Sequence, residues 1–304
     1  MLLQNFRKSD IWAKCCFLIK YFFSNLVPSK YFYLFHFRGW FKVRIYETEI
    51  ELFNYNTPLE TSLFWSKSIN ETTSLNCFII LSNKATHIVD VGANTGAFCI
   101  FGAASNKIAK VIAIEPNFNN FFALKKNVDR NFLKINCFNL AATSESKLVT
   151  LWDFPHEISY SASLEKEFRQ GEGTTEVQVY GVKLDQILNN LKSTDIILLK
   201  IDVESHEAEV LKGLSNVIED EQSNLIFFIE LIREDVCREV EKLLKPLNFT
   251  YFQIDENSNT FIEKNELSVF NGFNYLIVSK SIRIMTLEYL KSKNNTINII
   301  SLNQ

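Results

Sequence analysis

Hydrophobic spacing along the chain changes character near residue 85. From there, short unbroken apolar runs at 87–91, 110–115, 135–141, 195–203, 225–231, 249–255 and 274–280 read as buried strands. Between them, at 96–105, 117–130, 207–218 and 234–244, apolar residues recur every three or four positions, as on amphipathic helices. Strands apolar on both faces and separated by helices predict a doubly wound α/β domain around a mostly parallel, seven-stranded sheet. A β-rich stretch at about 147–183 breaks the alternation and reads as an insertion. Upstream, 40–54 alternates at period two and reads as strands or a hairpin, and 57–84, opening on Thr57-Pro58, predicts a helical lead-in. These changes divide the chain into an N-terminal aromatic and basic accessory region (1–56), a main domain (57–282) and a C-terminal tail (283–304).

Composition narrows the class. With 304 residues, 47% of them apolar and 22% charged, the chain can bury a large core. A net charge of −3 gives no overall pull towards nucleic acid. Six cysteines form no C-x-x-C pair, and His36, His87, His156 and His206 complete no zinc pattern, so no metal is assigned and a reducing, cytoplasmic setting is expected. No 18-residue apolar run is present, which argues against a spanning helix. The nearest stretch, 11–27, is interrupted by Lys14 and Lys20 and lacks a signal-peptide cleavage site. Its first reading is a helix packed on the main domain. The second is peripheral contact at the inner membrane face, lysines at the headgroups and Trp12, Phe17, Phe22 and Phe23 below.

Candidate chemistry gathers at the ends of three strands. The run from His87 to Phe98 is a strand, an acid (Asp90), a Gly-x-x-x-Gly turn (Gly92, Gly96) and a helix start. That spacing departs from the Gly-x-Gly-x-x-Gly of dinucleotide sites, where a pyrophosphate meets the helix N-terminus. It suits a phosphate-free adenosyl ligand. The next strand ends in Glu115, the position from which an acid reaches ribose hydroxyls. The third, 195–203, leads into Lys200, Asp202 and Glu204 at period two, then His206 and Glu207. Glu207 alone reads better as a first-turn acid of the following helix.

Taken together, the runs DVGANTGAF, VIAIEPN, GVKLDQIL and LLKIDVESHEAEVLKGL resemble, in order and spacing, the FkbM family of methyltransferases across about 59–280. The resemblance implies a Rossmann-like class I methyltransferase fold, S-adenosylmethionine as donor and usually O-methylation, with sugar hydroxyls of glycans, glycolipids or secondary metabolites as typical acceptors. It assigns Asp90, Gly92, Ala93, Asn94, Gly96, Glu115 and Pro116 to the donor pocket and Asp202 and Glu204 to the acceptor side. Ser205 is a departure, because the family usually has glycine there; if the position needs a positive φ, serine is strained.

Transfer from a sulfonium needs an acceptor oxygen held in line and a base for its proton, and the candidate bases are Asp202 and His206. Trp152, Tyr160, Ser161 and Ser163, in or beside the insertion, are candidate acceptor contacts. A nucleic-acid base methyltransferase would carry an Asn/Asp-Pro-Pro-aromatic motif, and none of the five prolines adjoins another. The remaining alternative is a non-catalytic, methyltransferase-like binding protein, which the two acceptor-side acids argue against. The expected partner is a small-molecule or glycan acceptor and no nucleic acid; oligomeric state has no signature in the sequence.

Overall fold

The computed structural model of the chain describes residues 10–23, 38–65, 72–153, 158–159, 162–166, 174–220 and 223–301. The expectations for 24–27, Tyr160 and Ser161 lie outside the described residues. In chain order, helix α1 (Asp10–Phe23) precedes a hairpin of β1 (Gly39–Ile45) and β2 (Thr48–Asn54). Helices α2 (Pro58–Trp65) and α3 (Thr72–Ser82) then lead into β3 (His87–Val91), α4 (Ala97–Ser105), β4 (Lys110–Ile114), α5 (Phe118–Arg130) and β5 (Ile135–Phe138). Next come β6 (Ala141–Ala142), β7 (Leu148–Asp153), β8 (Thr175–Val182) and α6 (Leu184–Ile187). The second half runs β9 (Ile196–Ile201), α7 (Glu207–Lys212), α8 (Ser215–Glu219), β10 (Asn224–Glu230), α9 (Glu234–Leu244), β11 (Thr250–Asp255), β12 (Thr260–Lys264), β13 (Asn274–Val278), α10 (Arg283–Lys293) and β14 (Asn298–Ile300).

The central sheet has the order β14-β12-β11-β13-β10-β9-β3-β4-β5. Strands β10, β9, β3, β4 and β5 are parallel to one another, whereas β13 runs antiparallel between β10 and β11. The seven expected strands are all there, and β12 and β14 extend the edge beyond β11. β12 is a short alternating run that follows β11 through a tight turn. Residues 283–301, read as a tail, form α10 and β14; α10 buries Leu290 and packs on α3, and β14 pairs with β12. The expected single helix over 207–218 is divided at Gly213 and Leu214 into α7 and α8.

Period two explains the two faces. Ile88, Leu198 and Ile226 enter the core under α2–α5 and the hairpin, while their neighbours Val89, Leu199 and Phe227 enter the core under α7–α9. Both sides of β3, β9 and β10 are therefore largely dry, and each fully buried Leu, Ile or Phe contributes roughly 1.5–3 kcal/mol. Because the chain leaves β3 towards β4 and β5 and returns to β9 on β3's other side, the order reverses between β3 and β9. Open α/β sheets bind ligands beyond the carboxyl ends of strands at such a reversal.

The hairpin is fastened to the domain by two asparagines at the C-terminal end of α5, Asn127 within it and Asn131 capping it. Asn127 Oδ1 accepts the Phe53 N–H at 2.9 Å, and Asn131 Oδ1 accepts the Glu51 N–H at 2.8 Å. Thr57 and Glu60 cap α2 reciprocally: Thr57 Oγ1 accepts the Glu60 N–H at 3.3 Å, and Glu60 Oε2 accepts the Thr57 N–H at 3.4 Å.

Candidate active site

β3 runs into a turn that only its glycine allows. Gly92 has φ +76°, and a β-carbon there would lie 1.8 Å from the carbonyl oxygen of Asp202. The loops after β3 and β9 can touch because nothing projects between them. The Gly92 and Ala93 N–H groups both donate to the Ile114 carbonyl at 3.0 Å, which ties the turn to β4. Asn94 is also left-handed (φ +49°), a conformation asparagine tolerates. Gly96 (φ +94°) lets α4 approach α5, since a β-carbon there would meet Leu124 at 2.4 Å. It positions the helix and does not line the cleft.

Two buried acids flank this turn. Asp90 Oδ2 accepts the Cys99 N–H at 3.0 Å, while its Oδ1 is buried without a hydrogen-bond partner among the described residues. Burial raises the Asp90 carboxyl above its usual range, and the Lys200 charge and the Cys99 N–H oppose that. Glu115 receives the Asn94 N–H at 2.8 Å on one oxygen and the Asn117 N–H at 2.9 Å on the other. Burial carries its carboxyl up to about 7 despite those hydrogen bonds.

Beyond β9 the chain builds a charged cluster. Lys200 Nζ donates to Asp202 Oδ2 at 2.7 Å and lies 4.6 Å from the Phe98 ring centroid. Burial works to raise the Asp202 carboxyl, but the Lys200 charge, with hydrogen bonds from Lys200 and Glu230, outweighs it and leaves the group below its usual range. Glu204 and Ser205 follow with φ of +55° and +80°. The position where the family usually has glycine is therefore left-handed, and the Ser205 hydroxyl is buried without a partner among the described residues. Glu207 holds this bend by accepting the Ser205 N–H at 3.1 Å and the Val203 N–H at 3.3 Å. Burial pushes the Glu207 carboxyl up to about 8.

His206 is placed differently from Asp202 and Glu204. Its Nδ1 is 2.7 Å from Glu165 Oε1 and its Nε2 is 3.0 Å from Thr143 Oγ1. Both ring nitrogens are engaged away from the cleft, so the expectation of His206 as a base gives way to a bracing contact between α7 and the insertion. Trp152 and Ser163 pair with each other through backbone hydrogen bonds, and Ser163 Oγ donates to the Glu204 carbonyl at 2.6 Å. They support the loop, and neither lines the cleft.

The insertion, whose β7 and β8 form a three-stranded sheet with the preceding β6, reaches over the carboxyl ends of β3 and β4 at Ser159. Asn94 and Asn120 side chains donate to the Ser159 carbonyl at 2.8 and 2.7 Å, and Asn120 Oδ1 accepts the Ser159 N–H at 3.0 Å. The Ser159 hydroxyl donates to Asp153 at 2.6 Å. Beneath it lies a cavity of about 610 Å³ lined by Glu115, Pro116, Ile114, Ala142 and Leu151 among others. A second cavity of about 820 Å³ holds Asp90, Ala93, Lys200, Glu230 and the Thr57–Leu59 segment. Gly92, Asn94, Asp202 and Glu204 line both. The two spaces are halves of one cleft, divided by the glycine turn.

A family described as the methyltransferase FkbM domain matches residues 90–251, which span the turn, both acids and the whole charged cluster. The chain belongs to the FkbM methyltransferase family. This FkbM-family chain is 30% identical over 156 residues to the hexuronic acid methyltransferase AglP of Haloferax volcanii, an overlap of 51% of the chain and 59% of that relative's length. Among solved structures, the FkbM methyltransferase of Methylobacillus flagellatus is similar at 16% identity and a TM-score of 0.39, covering 64% of this chain and 43% of that one. TYW2 of M. jannaschii, in complex with AdoMet, is similar at 14% identity and a TM-score of 0.41, covering 80% of this chain and 85% of that one.

Sequence reasoning missed Glu230, although it ends an apolar strand as Glu115 does and the same signal would have found it. It also left Lys200 unassigned and could not find Asn120, Ser159 and Leu59, which no motif marks.

Proposed function

We propose that this chain is an S-adenosylmethionine-dependent methyltransferase that methylates a hydroxyl group of a sugar. The observation that supports this most is the division of acids about one turn. Asp90 offers an unpartnered buried oxygen on one side of Gly92, and Glu115 stands over the cavity on the other. An amino acid end with an ammonium suits Asp90, and ribose hydroxyls suit Glu115. Ile114, Ala142 and Leu151 give apolar walls for a flat base. The donor, once bound, supplies an activated methyl group. This chain's residues must hold an acceptor oxygen in line with it and take away its proton.

Asp202 and Lys200 are suited to that task as a pair. The carboxylate is ionised beside the ammonium, so it can accept a hydroxyl proton while Lys200 stabilises the developing oxyanion. The relative that acts on a hexuronic acid favours a sugar acceptor. Calorimetric titration should show S-adenosylmethionine binding and no NAD binding; the reverse result removes the reading. Asp202→Asn should keep donor affinity and lower turnover roughly 10²–10⁴-fold, whereas His206→Asn should leave the rate nearer wild type. An Asp202→Asn enzyme of full rate would exclude the assigned base.

A further inference from the structure

Helix α1 carries apolar side chains around its circumference. One side faces inwards: Cys16 is fully buried, and Trp12, Ala13 and Ile19 pack against the core. On that side the Lys20 ammonium lies 4.7 Å from the Phe64 ring centroid. The other side is open to solvent. Ile11, Leu18 and Tyr21 are 68, 57 and 82% exposed, and Phe22 is 63% exposed. Positions 11, 14, 18, 21 and 22 share one helical face, so these side chains form a stripe that includes the exposed Lys14. A surface helix of a globular protein turns polar residues outwards, whereas this one presents large apolar residues on both sides.

Charge identifies what suits the stripe. Residues 1–38 contain six Lys or Arg and one acid, Asp10, although the whole chain has a net charge of −3. Two copies meeting through α1 would set one basic segment against another, which like-charge repulsion disfavours. An anionic bilayer does the opposite: lysines meet the headgroups while apolar side chains enter the acyl boundary. We propose that α1 docks this chain on an anionic phospholipid surface through Ile11, Leu18, Tyr21 and Phe22, with Lys14 among the headgroups.

Docking would also orient the cleft. Phe17 of α1 contacts Phe64 near one end of α2, and Pro58 and Leu59 at the other end line the 820 Å³ cavity. On the methyl-transfer reading above, the acceptor is then a sugar presented at the lipid surface. The docking itself stands apart from that reading.

The test is flotation of the full chain with vesicles of phosphatidylcholine alone or mixed with phosphatidylglycerol. The chain should float with the anionic vesicles, weakly with the neutral ones, and less as salt rises. A double variant, Leu18→Glu with Tyr21→Glu, should lower the partition coefficient roughly tenfold or more, and Lys14→Gln should lower it roughly five-fold. Circular dichroism should be unchanged, because none of these side chains enters the core. Absence of flotation by the wild type, or flotation of the double variant at wild-type level, overturns the proposal. So does a dimer in sedimentation that the double variant dissociates while vesicles bind nothing. S-adenosylmethionine titration of the same samples reports separately on the methyl-transfer reading.

Discussion

At the scale of single residues, the site is shaped by backbone conformations that most side chains resist. Gly92 meets its requirement with the right residue, and Ser205 does not. A serine at φ +80° with an unpartnered, buried hydroxyl combines backbone strain with lost solvation. Ser205→Gly should therefore raise the unfolding free energy by about 1 kcal/mol, measured by urea denaturation. A destabilised Ser205→Gly would mean that the hydroxyl has an unseen role. The persistence of the strain has a visible cause: Glu207 accepts two backbone N–H groups across the bend and Ser163 holds the Glu204 carbonyl. The loop is over-determined by its neighbours, so an unfavourable residue is tolerated.

At the scale of elements, the insertion depends on a few polar contacts. Ser159 has both its carbonyl and its N–H engaged by the side chain of Asn120, which projects from the first turn of α5. Asn120→Ala would leave two buried backbone groups with fewer partners, at a cost of about 1–3 kcal/mol. The insertion should then open locally, because the rest of the sheet does not use this contact. Hydrogen exchange should rise in 148–182 while β3, β4 and β9 keep their protection. Equal protection throughout would show that other contacts hold the insertion down. The asparagines in and flanking α5 divide this labour by position: Asn117 and Asn120 bond the insertion and Asn127 and Asn131 bond the hairpin, so one helix with its two caps fastens two accessory elements.

At the scale of the whole molecule, buried acids tie stability to pH. Glu207 and Glu115 have carboxyls raised to about 8 and about 7 from an ordinary value near 4.5. A group whose pKa is higher folded than unfolded binds protons more readily in the native state, so stability falls as pH rises between the two values. Thermal unfolding midpoints should thus decline as pH goes from about 5 to about 8, and Glu207→Gln should flatten the decline. A midpoint that rises over that window would contradict this linkage.

The sequence by itself determined the alternation of strands and helices, because a strand buried on both faces must be apolar throughout and a covering helix apolar on one. It also marked Asp90, Glu115 and Asp202, since an acid that ends an apolar strand of a parallel sheet has solvent or a ligand as its neighbour. Tertiary structure decided which candidates share a cleft. His206 lies one helix start from Asp202 in the chain, yet Thr143 and Glu165 turn its ring away. Glu230 comes from a strand of its own and reaches Asp202 only because β10 lies beside β9. Strand order and the path of the insertion are set by packing between distant segments, and local spacing along the chain carries no record of them.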